Sequence, residues 1–229
     1  MRYYPLLLDL TGMRCLVVGA GEVGLRKVHG LLPCSPALVA VVDPAPPGPG
    51  LAALLASHGN LTYERRPFAD TDLEGAQLVF ACTSSREVNA RVGQACRRRG
   101  VLCNMTDDPD AGSFVLPASV TRGDLTITVS TGGASPALAR VIRQDIEQRY
   151  GAEYEALTRL LAGIRSALLA LGHGSGENRE VFRALAASPL AELIKTNDRA
   201  ACLELLQSVL PAPLHPRIGE WCDDCFPTV

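Results

Sequence analysis

The chain has 229 residues, 47% of them hydrophobic and 20% charged, with a formal net charge of −2 at pH 7. That length suits one large domain or two small ones, and the near-neutral balance excludes a nucleic-acid binder relying on bulk positive charge. No apolar run approaches the roughly 20 residues that cross a bilayer, and Asp9 follows Arg2 without a small-residue cleavage site, so a cytoplasmic protein without a signal peptide is expected.

Residues 14–18 read as a first strand and 22–32 as its helix, followed by a second strand at 38–42. The Pro/Gly-rich stretch from Pro44 to Gly50 reads as a loop, 51–58 as a short helix, 61–64 as a third strand and Leu78 to Cys82 as a fourth. Glu87 to Arg99 form a helix stopped at Gly100, and Val101 to Cys103 a fifth strand. Strands alternating with helices at this spacing predict a parallel, doubly wound sheet. The pattern then changes. Phe114 to Leu116 and Leu125 to Ser130 read as strands separated by the turn-like Arg122-Gly123-Asp124, with Thr126, Thr128 and Ser130 alternating against Ile127 and Val129. Ser135 caps a helix that has Pro136 in its first turn and runs to about Arg149. Helices follow at about 152–171, 177–187 and 198–209, with Gly172 to Gly176 between the first two, and the Pro-rich stretch Pro211 to Pro216 leads into a tail expected to be irregular.

Three glycines, Gly19, Gly21 and Gly24, stand between the first strand and its helix. Each has a separate mechanical reason in a dinucleotide-binding turn: the first for the tight turn, the second for close approach of a pyrophosphate, the third for packing of the helix on the strand. The pyrophosphate then sits on the positive helix N-terminus. Asp43 ends the second strand, 19 residues after Gly24, where a carboxylate accepts hydrogen bonds from a ribose hydroxyl and repels a 2′-phosphate. The expected cofactor is therefore NAD rather than NADP.

Residues 103–117, Cys-Asn-Met-Thr-Asp-Asp-Pro-Asp-Ala-Gly-Ser-Phe-Val-Leu-Pro, leave the carboxyl edge of the sheet, beside which ligands of such sheets bind. Asn104, Asp107 and Asp108 are thus candidates to face the nicotinamide, although Asp-Asp-Pro-Asp is also good turn chemistry. The small-residue loop Ser130-Thr131-Gly132-Gly133-Ala134-Ser135 opens onto a helix carrying Arg140 and Arg143. Its amides suit a carboxylate, or it is simply a well-capped helix with surface arginines. Of the 22 basic residues 20 are arginine, only Lys27 and Lys195 being lysine. GC-rich codon usage explains that bias, and it also suits a polyanionic substrate, since arginine grips carboxylates in a bidentate fashion.

Eight cysteines in a cytoplasmic chain are expected as thiols. Cys15, Cys82 and Cys103 lie in apolar runs as small core residues, and Cys34, Cys96 and Cys202 show no pairing pattern. The single Cys222-x-x-Cys225 falls short of the four ligands of a zinc site, and His29, His58, His173 and His215 form no ligand cluster, so no metal is expected.

Gly-Ala-Gly-Glu-Val-Gly-Leu-Arg-Lys (19–27), Cys-Asn-x-x-Asp (103–107), Ser-Phe-x-x-Pro (113–117) and Ser-Thr-Gly-Gly-Ala-Ser-Pro-Ala-Leu-Ala-Arg (130–140) occur in the same order as in the precorrin-2 dehydrogenase family, which the chain resembles over about residues 3–150. The family includes the N-terminal module of siroheme synthase and a fungal dehydrogenase/ferrochelatase. The resemblance implies a Rossmann domain (1–112), a dimerisation and substrate region (113–150) and a helical domain (151–229) in an interlocked homodimer. It implies oxidation of precorrin-2 to sirohydrochlorin with NAD⁺, with Asp107 as catalytic residue. NAD contacts fall near Glu22, Val23, Asp43, Pro44 and Thr83. The substrate lies near Asn104 and the loop of Ser130, Thr131, Gly132, Gly133 and Ser135, with Arg140 as first choice among its arginines. Gly24 stands where an alanine is common in the family, which reads as a harmless departure, and Asp108 adds a second acid that either holds a metal or raises its neighbour's pKa. Insertion of Fe²⁺ or Co²⁺ by a bifunctional enzyme is the nearest alternative, decided by a metal-insertion assay without NAD⁺. A non-catalytic NAD(H) sensor is an alternative of another class, decided by tetrapyrrole binding.

Overall fold

A computed structural model describes residues 2–172 and 175–226. Expectations touching His173 or Gly174 lie outside the described residues. The chain divides into two compact units, residues 1–116 and 117–229.

The first unit is a five-stranded parallel sheet of β1 (Arg14–Val18), β2 (Leu38–Val42), β3 (Leu61–Glu64), β4 (Leu78–Ala81) and β5 (Leu102–Met105), in the order β3-β2-β1-β4-β5. Alternation along the strands builds a core on each face. Cys15 and Val17, with Leu78, Phe80 and Cys82, point to one face beneath α1 (Glu22–Leu31) and α2 (Pro49–Ser57). Leu16 and Val18, with Val79 and Ala81, point to the other beneath α3 (Arg86–Arg99). Full burial of each such Val or Leu side chain contributes roughly 1.5–3 kcal/mol. This is the doubly wound Rossmann-like sheet read from the sequence. Its strand order reverses between β1 and β4, which opens a crevice at their carboxyl ends.

Two connections are held by buried polar groups. Between β3 and β4 a 3₁₀ turn (Asp70–Leu73) buries Asp72, whose carboxylate accepts from Arg66 at 2.6 and 3.0 Å and from the Ala69 amide at 2.8 Å. Burial opposes the charge on Asp72, but the Arg66 guanidinium and that amide outweigh it and hold its pKa below the ordinary 3.8. Between β4 and α3 the fully buried Asn89 accepts from the Thr83 amide (3.1 Å) and hydroxyl (2.7 Å) and donates to the Thr83 carbonyl (3.0 Å).

The expected strand at Phe114 to Leu116 is absent. Residue 113 instead docks on β5 through its side chain: Ser113 Oγ accepts from the Cys103 amide at 2.7 Å, and the Ser113 amide donates to the Cys103 carbonyl at 2.8 Å. A hydroxyl replaces the next rung of a ladder, so the apolar run continues without a strand. Phe114 then packs edge-on against Phe80, ring centroids 5.7 Å apart.

The second unit begins with the antiparallel hairpin of β6 (Ala118–Arg122) and β7 (Leu125–Val129), turned at Gly123 with φ +54°. Helices α4 (Pro136–Arg149), α5 (Glu153–Ala170), α6 (Ser175–Ala187), α7 (Leu190–Lys195), α8 (Arg199–Val209) and α9 (Ile218–Cys225) follow. As far as residue 226 the tail is not irregular: Ala212–Arg217 form a 3₁₀ segment and α9 seals the helical core with Trp221, Cys222 and Cys225. The apolar residues at 218, 221, 222 and 225 follow helical spacing, and the preceding prolines mask that signal. Helix α7 was also missed, being a six-residue segment that starts just after Pro189.

All eight cysteines are free thiols. Cys222 Sγ lies 3.8 Å from Cys202 Sγ inside the helical core, and burial pushes the Cys202 thiol up to about 12. The Cys-x-x-Cys pair is therefore packing material.

Candidate functional site

The glycine turn has the three distinct environments that its spacing predicts. Gly19 has φ +102°, and a Cβ there would lie 2.7–2.8 Å from the backbone of Cys82 and Thr83. Only glycine fits between the carboxyl ends of β1 and β4. Gly24 is packed so closely that a Cβ would fall 1.9 Å from the Gly19 carbonyl oxygen. The glycine in place of alanine is thus required by this turn as it stands, not a neutral departure. Gly21 is different: its φ is an ordinary −66°, and a Cβ would meet nothing within 4 Å.

Gly21 is also the N-cap of α1, with no side chain capping the first turn. The first-turn amides around Glu22, Val23 and Gly24 therefore face the crevice with unsatisfied donors. Open space before uncapped helix amides is the cradle that a pyrophosphate fills, and the residues fit a dinucleotide. Glu22 in the same turn is drawn aside by an ion pair with Arg26 at 2.9 Å.

Asp43 does more than end β2. Its Oδ2 accepts from the Ala20 amide at 2.7 Å and its Oδ1 from the Ala45 amide at 2.8 Å. The carboxylate thereby ties the β2 loop to the glycine turn. Pro44 is exposed beside it, and the Tyr63 hydroxyl donates to the carbonyls of Asp43 and Ala45. Thr83 lies across the crevice, fixed by Asn89 as described. Sequence reasoning did not single out Asn89, a polar residue in the helix after Thr83; its position one turn beyond the Ser85 cap of α3 was the available signal.

The carboxyl end of β5 separates the three candidates there. Asn104 is buried and its amide donates to the Phe114 carbonyl at 3.1 Å. Asp108 accepts from the Ala111 amide at 3.3 Å and closes the 108–111 turn. Asp107 is exposed, and no hydrogen bond or ion pair engages it among the described residues. Of the acidic turn's three carboxylates, Asp108 is structural, Asp110 pairs with Arg2, and Asp107 is left free. Beneath them the Cys82 thiol is pushed up to about 11 by burial and stays protonated at neutral pH. Lys27 reaches in from α1, half-buried, its ammonium 5.8 Å from the centre of the Phe80 ring; burial lowers its pKa.

In the second unit, the 130–135 loop is folded on itself. Ser130 Oγ accepts from the Gly132 amide, Thr131 Oγ1 from the Ser135 amide, and Ser135 Oγ caps α4 at the Leu138 amide. Gly132 and Gly133 have φ of +64° and +91°, leaving their surroundings open. Arg143 is paired with Glu147 at 2.7 Å, whereas Arg140 is exposed and without an ion pair among the described residues. Among the described residues, no three His, Cys, Asp or Glu side chains converge as a metal site.

Comparison with known proteins follows the same division. A putative NAD(P)-binding family model matches residues 6–118, and the sirohaem biosynthesis protein central model matches residues 122–149. Siroheme synthase of Thioalkalivibrio sulfidiphilus is 36% identical over 217 residues, 95% of this chain and 44% of that protein. Siroheme synthase of Methylococcus capsulatus is 39% identical over 165 residues, 72% of this chain and 34% of that protein. The chain thus spans less than half the length of these curated relatives. The solved structure of SirC, a precorrin-2 dehydrogenase, superposes with a TM-score of 0.73 at 26% identity, covering 90% of this chain and 98% of that one. The chain belongs to the family of precorrin-2 dehydrogenases and the corresponding module of siroheme synthases.

Proposed function

We propose that the chain oxidises precorrin-2 to sirohydrochlorin with NAD⁺ in siroheme biosynthesis. The observation that carries this reading is the open, uncapped glycine turn at the sheet's switch point, in a chain that aligns with nearly the whole of a precorrin-2 dehydrogenase. NAD⁺ supplies the hydride acceptor, at the nicotinamide ring. The remaining work falls to the protein. The amides of residues 22–24 hold the pyrophosphate, Asp43 and Pro44 border the ribose, and Thr83 borders the nicotinamide side.

Loss of a hydride from the reduced macrocycle leaves a proton on the adjacent position. Asp107 is the base that takes it: an exposed carboxylate free of internal partners has both oxygens available. A positioned base of this kind contributes about 10²–10⁴-fold. The eight carboxylates of the substrate need cationic and amide anchors, for which the Gly132-Gly133 segment and Arg140 are suited. Asn104, by contrast, supports the site by holding Phe114 in place.

The functional division proposed is cofactor binding by residues 1–112, dimer and substrate contacts by 113–150, and a helical domain at 151–229. Leu138 (51% exposed), Val141 (61%) and Ile142 (38%) form an apolar stripe on α4, which supports a homodimer. Among the described residues no helix is long and apolar enough to cross a membrane, and eight free thiols suit a reducing cytoplasm.

Incubation of the pure protein with precorrin-2 and NAD⁺ should give NADH and sirohydrochlorin in equal amounts. Intact precorrin-2 with no NADH would sink the proposal. Repeating the incubation on sirohydrochlorin with Fe²⁺ and without NAD⁺ reads metal insertion separately.

A further inference from the structure

A second constellation lies wholly within the helical part of the second unit. Between α5 and α6 is an open cleft of about 440 Å³ lined by Arg165, Leu169, Asn178, Arg179, Phe182 and Arg183. Three guanidinium groups share it, and no carboxylate lines it. None of the three forms an ion pair among the described residues. Arg179 and Arg183 are four residues apart on α6 and so stand on one face, while Arg165 comes from α5 and lies over the Phe182 ring at 5.3 Å from its centre. Like charges gathered without counterions cost free energy unless something anionic offsets them.

Asn178 supplies an independent observation. It is only 7% exposed and lines the cleft, and among the described residues no protein group hydrogen-bonds its side-chain amide, so the amide is open to what enters there. An amide at the wall of a cleft without an internal partner is satisfied by water or by a ligand that enters. The floor is apolar, formed by Leu169 and the Phe182 ring. The volume is far larger than an inorganic anion requires.

We infer that the α5–α6 cleft is a binding site for an organic polycarboxylate with a flat, apolar body. Its carboxylates meet the three guanidiniums, the amide of Asn178 takes a further oxygen, and the body lies against Phe182 and Leu169. An octacarboxylate macrocycle presents such an edge, a link that rests on the dehydrogenase reading; the cleft's chemistry does not.

The test is calorimetric titration of the full chain with mellitate, a flat benzene hexacarboxylate, and with inorganic phosphate. The wild type should bind mellitate at least tenfold more tightly than phosphate. R179A/R183A should weaken mellitate about tenfold, and R179Q/R183Q, which keeps part of the aliphatic stem and its packing while removing the charge, should do the same. N178A should weaken it about threefold. NAD⁺ affinity, which belongs to the other unit, should not move. Equal mellitate affinity in the wild type and the arginine variants, or phosphate bound as tightly as mellitate, would overturn the inference. Failure of precorrin-2 oxidation would remove the dehydrogenase reading and leave this titration unaffected.

Discussion

Substituting the three glycines one at a time by alanine should separate folding from cofactor binding. At Gly21 the added methyl meets no atom within 4 Å and φ is −66°, so the folded state accepts it without strain. Alanine restricts the unfolded chain by about 0.4–1 kcal/mol, and its poorer fit at the N-cap offsets that gain, so stability should change by less than about 1 kcal/mol. The same methyl projects into the space before the α1 amides. Losing one charge-assisted contact there costs about 1.5–3 kcal/mol, which is roughly a ten- to hundredfold rise in Kd for NAD⁺. At Gly19 the order is reversed. A φ of +102° and backbone atoms at 2.7–2.8 Å leave the methyl no room, and strain with overpacking should cost roughly 2–4 kcal/mol of stability. Urea unfolding and NAD⁺ titration by fluorescence, run on both variants, give the four numbers needed. A Gly21→Ala protein with wild-type NAD⁺ affinity would refute the cradle. A Gly21→Ala protein destabilised as much as Gly19→Ala would refute the steric reasoning behind it.

Gly24→Ala should lower stability by about 1–2 kcal/mol, because the clash with the Gly19 carbonyl exceeds the roughly 1 kcal/mol that alanine gains in a helix; thermal unfolding measures it. Asp107→Ala should reduce turnover by about 10²–10⁴-fold with NAD⁺ affinity unchanged, read from steady-state NADH formation and separate binding. Asn89→Ala strands the Thr83 amide and carbonyl and should cost about 2–4 kcal/mol, seen in urea melts, with a weaker grip on NAD⁺. Asp72 has its pKa lowered in the fold, so its contribution is complete above the ordinary 3.8 and fades as pH falls through the lower folded value. The stability deficit of Asp72→Asn should therefore be full at pH 6 and shrink below pH ~4, measured by urea unfolding across that range.

The sheet was legible because each strand carries its own evidence. Val39, Val41 and their neighbours are apolar on both faces, and a fully buried parallel strand has no other pattern. The α4 boundary was legible from Ser135 and Pro136 alone, since capping is local chemistry. Phe114 to Leu116 misled because Ser113 imitates a strand rung with its hydroxyl, a long-range contact invisible in the local pattern. The acidic turn was half legible. Composition marks Asp107 and Asp108 alike, and only the Ala111 amide distinguishes them. Asn104 was assigned by position at the sheet edge, whereas its partner is ten residues away in sequence and needs the folded loop to appear. The arginine cleft was the least legible, because Arg165 and the Arg179/Arg183 pair meet only when α5 and α6 pack.

The two hydrogen bonds of Asp43 have a consequence for redesign. In many dinucleotide sites the acid after the second strand is treated as an interchangeable selector of cofactor. Here the same carboxylate fastens the Ala20 amide of one loop and the Ala45 amide of the next. Replacing it to admit a 2′-phosphate also releases both loops, so selectivity and loop geometry cannot be altered independently. A change of cofactor preference, by engineering or by descent, must proceed through a second substitution that refastens the turn.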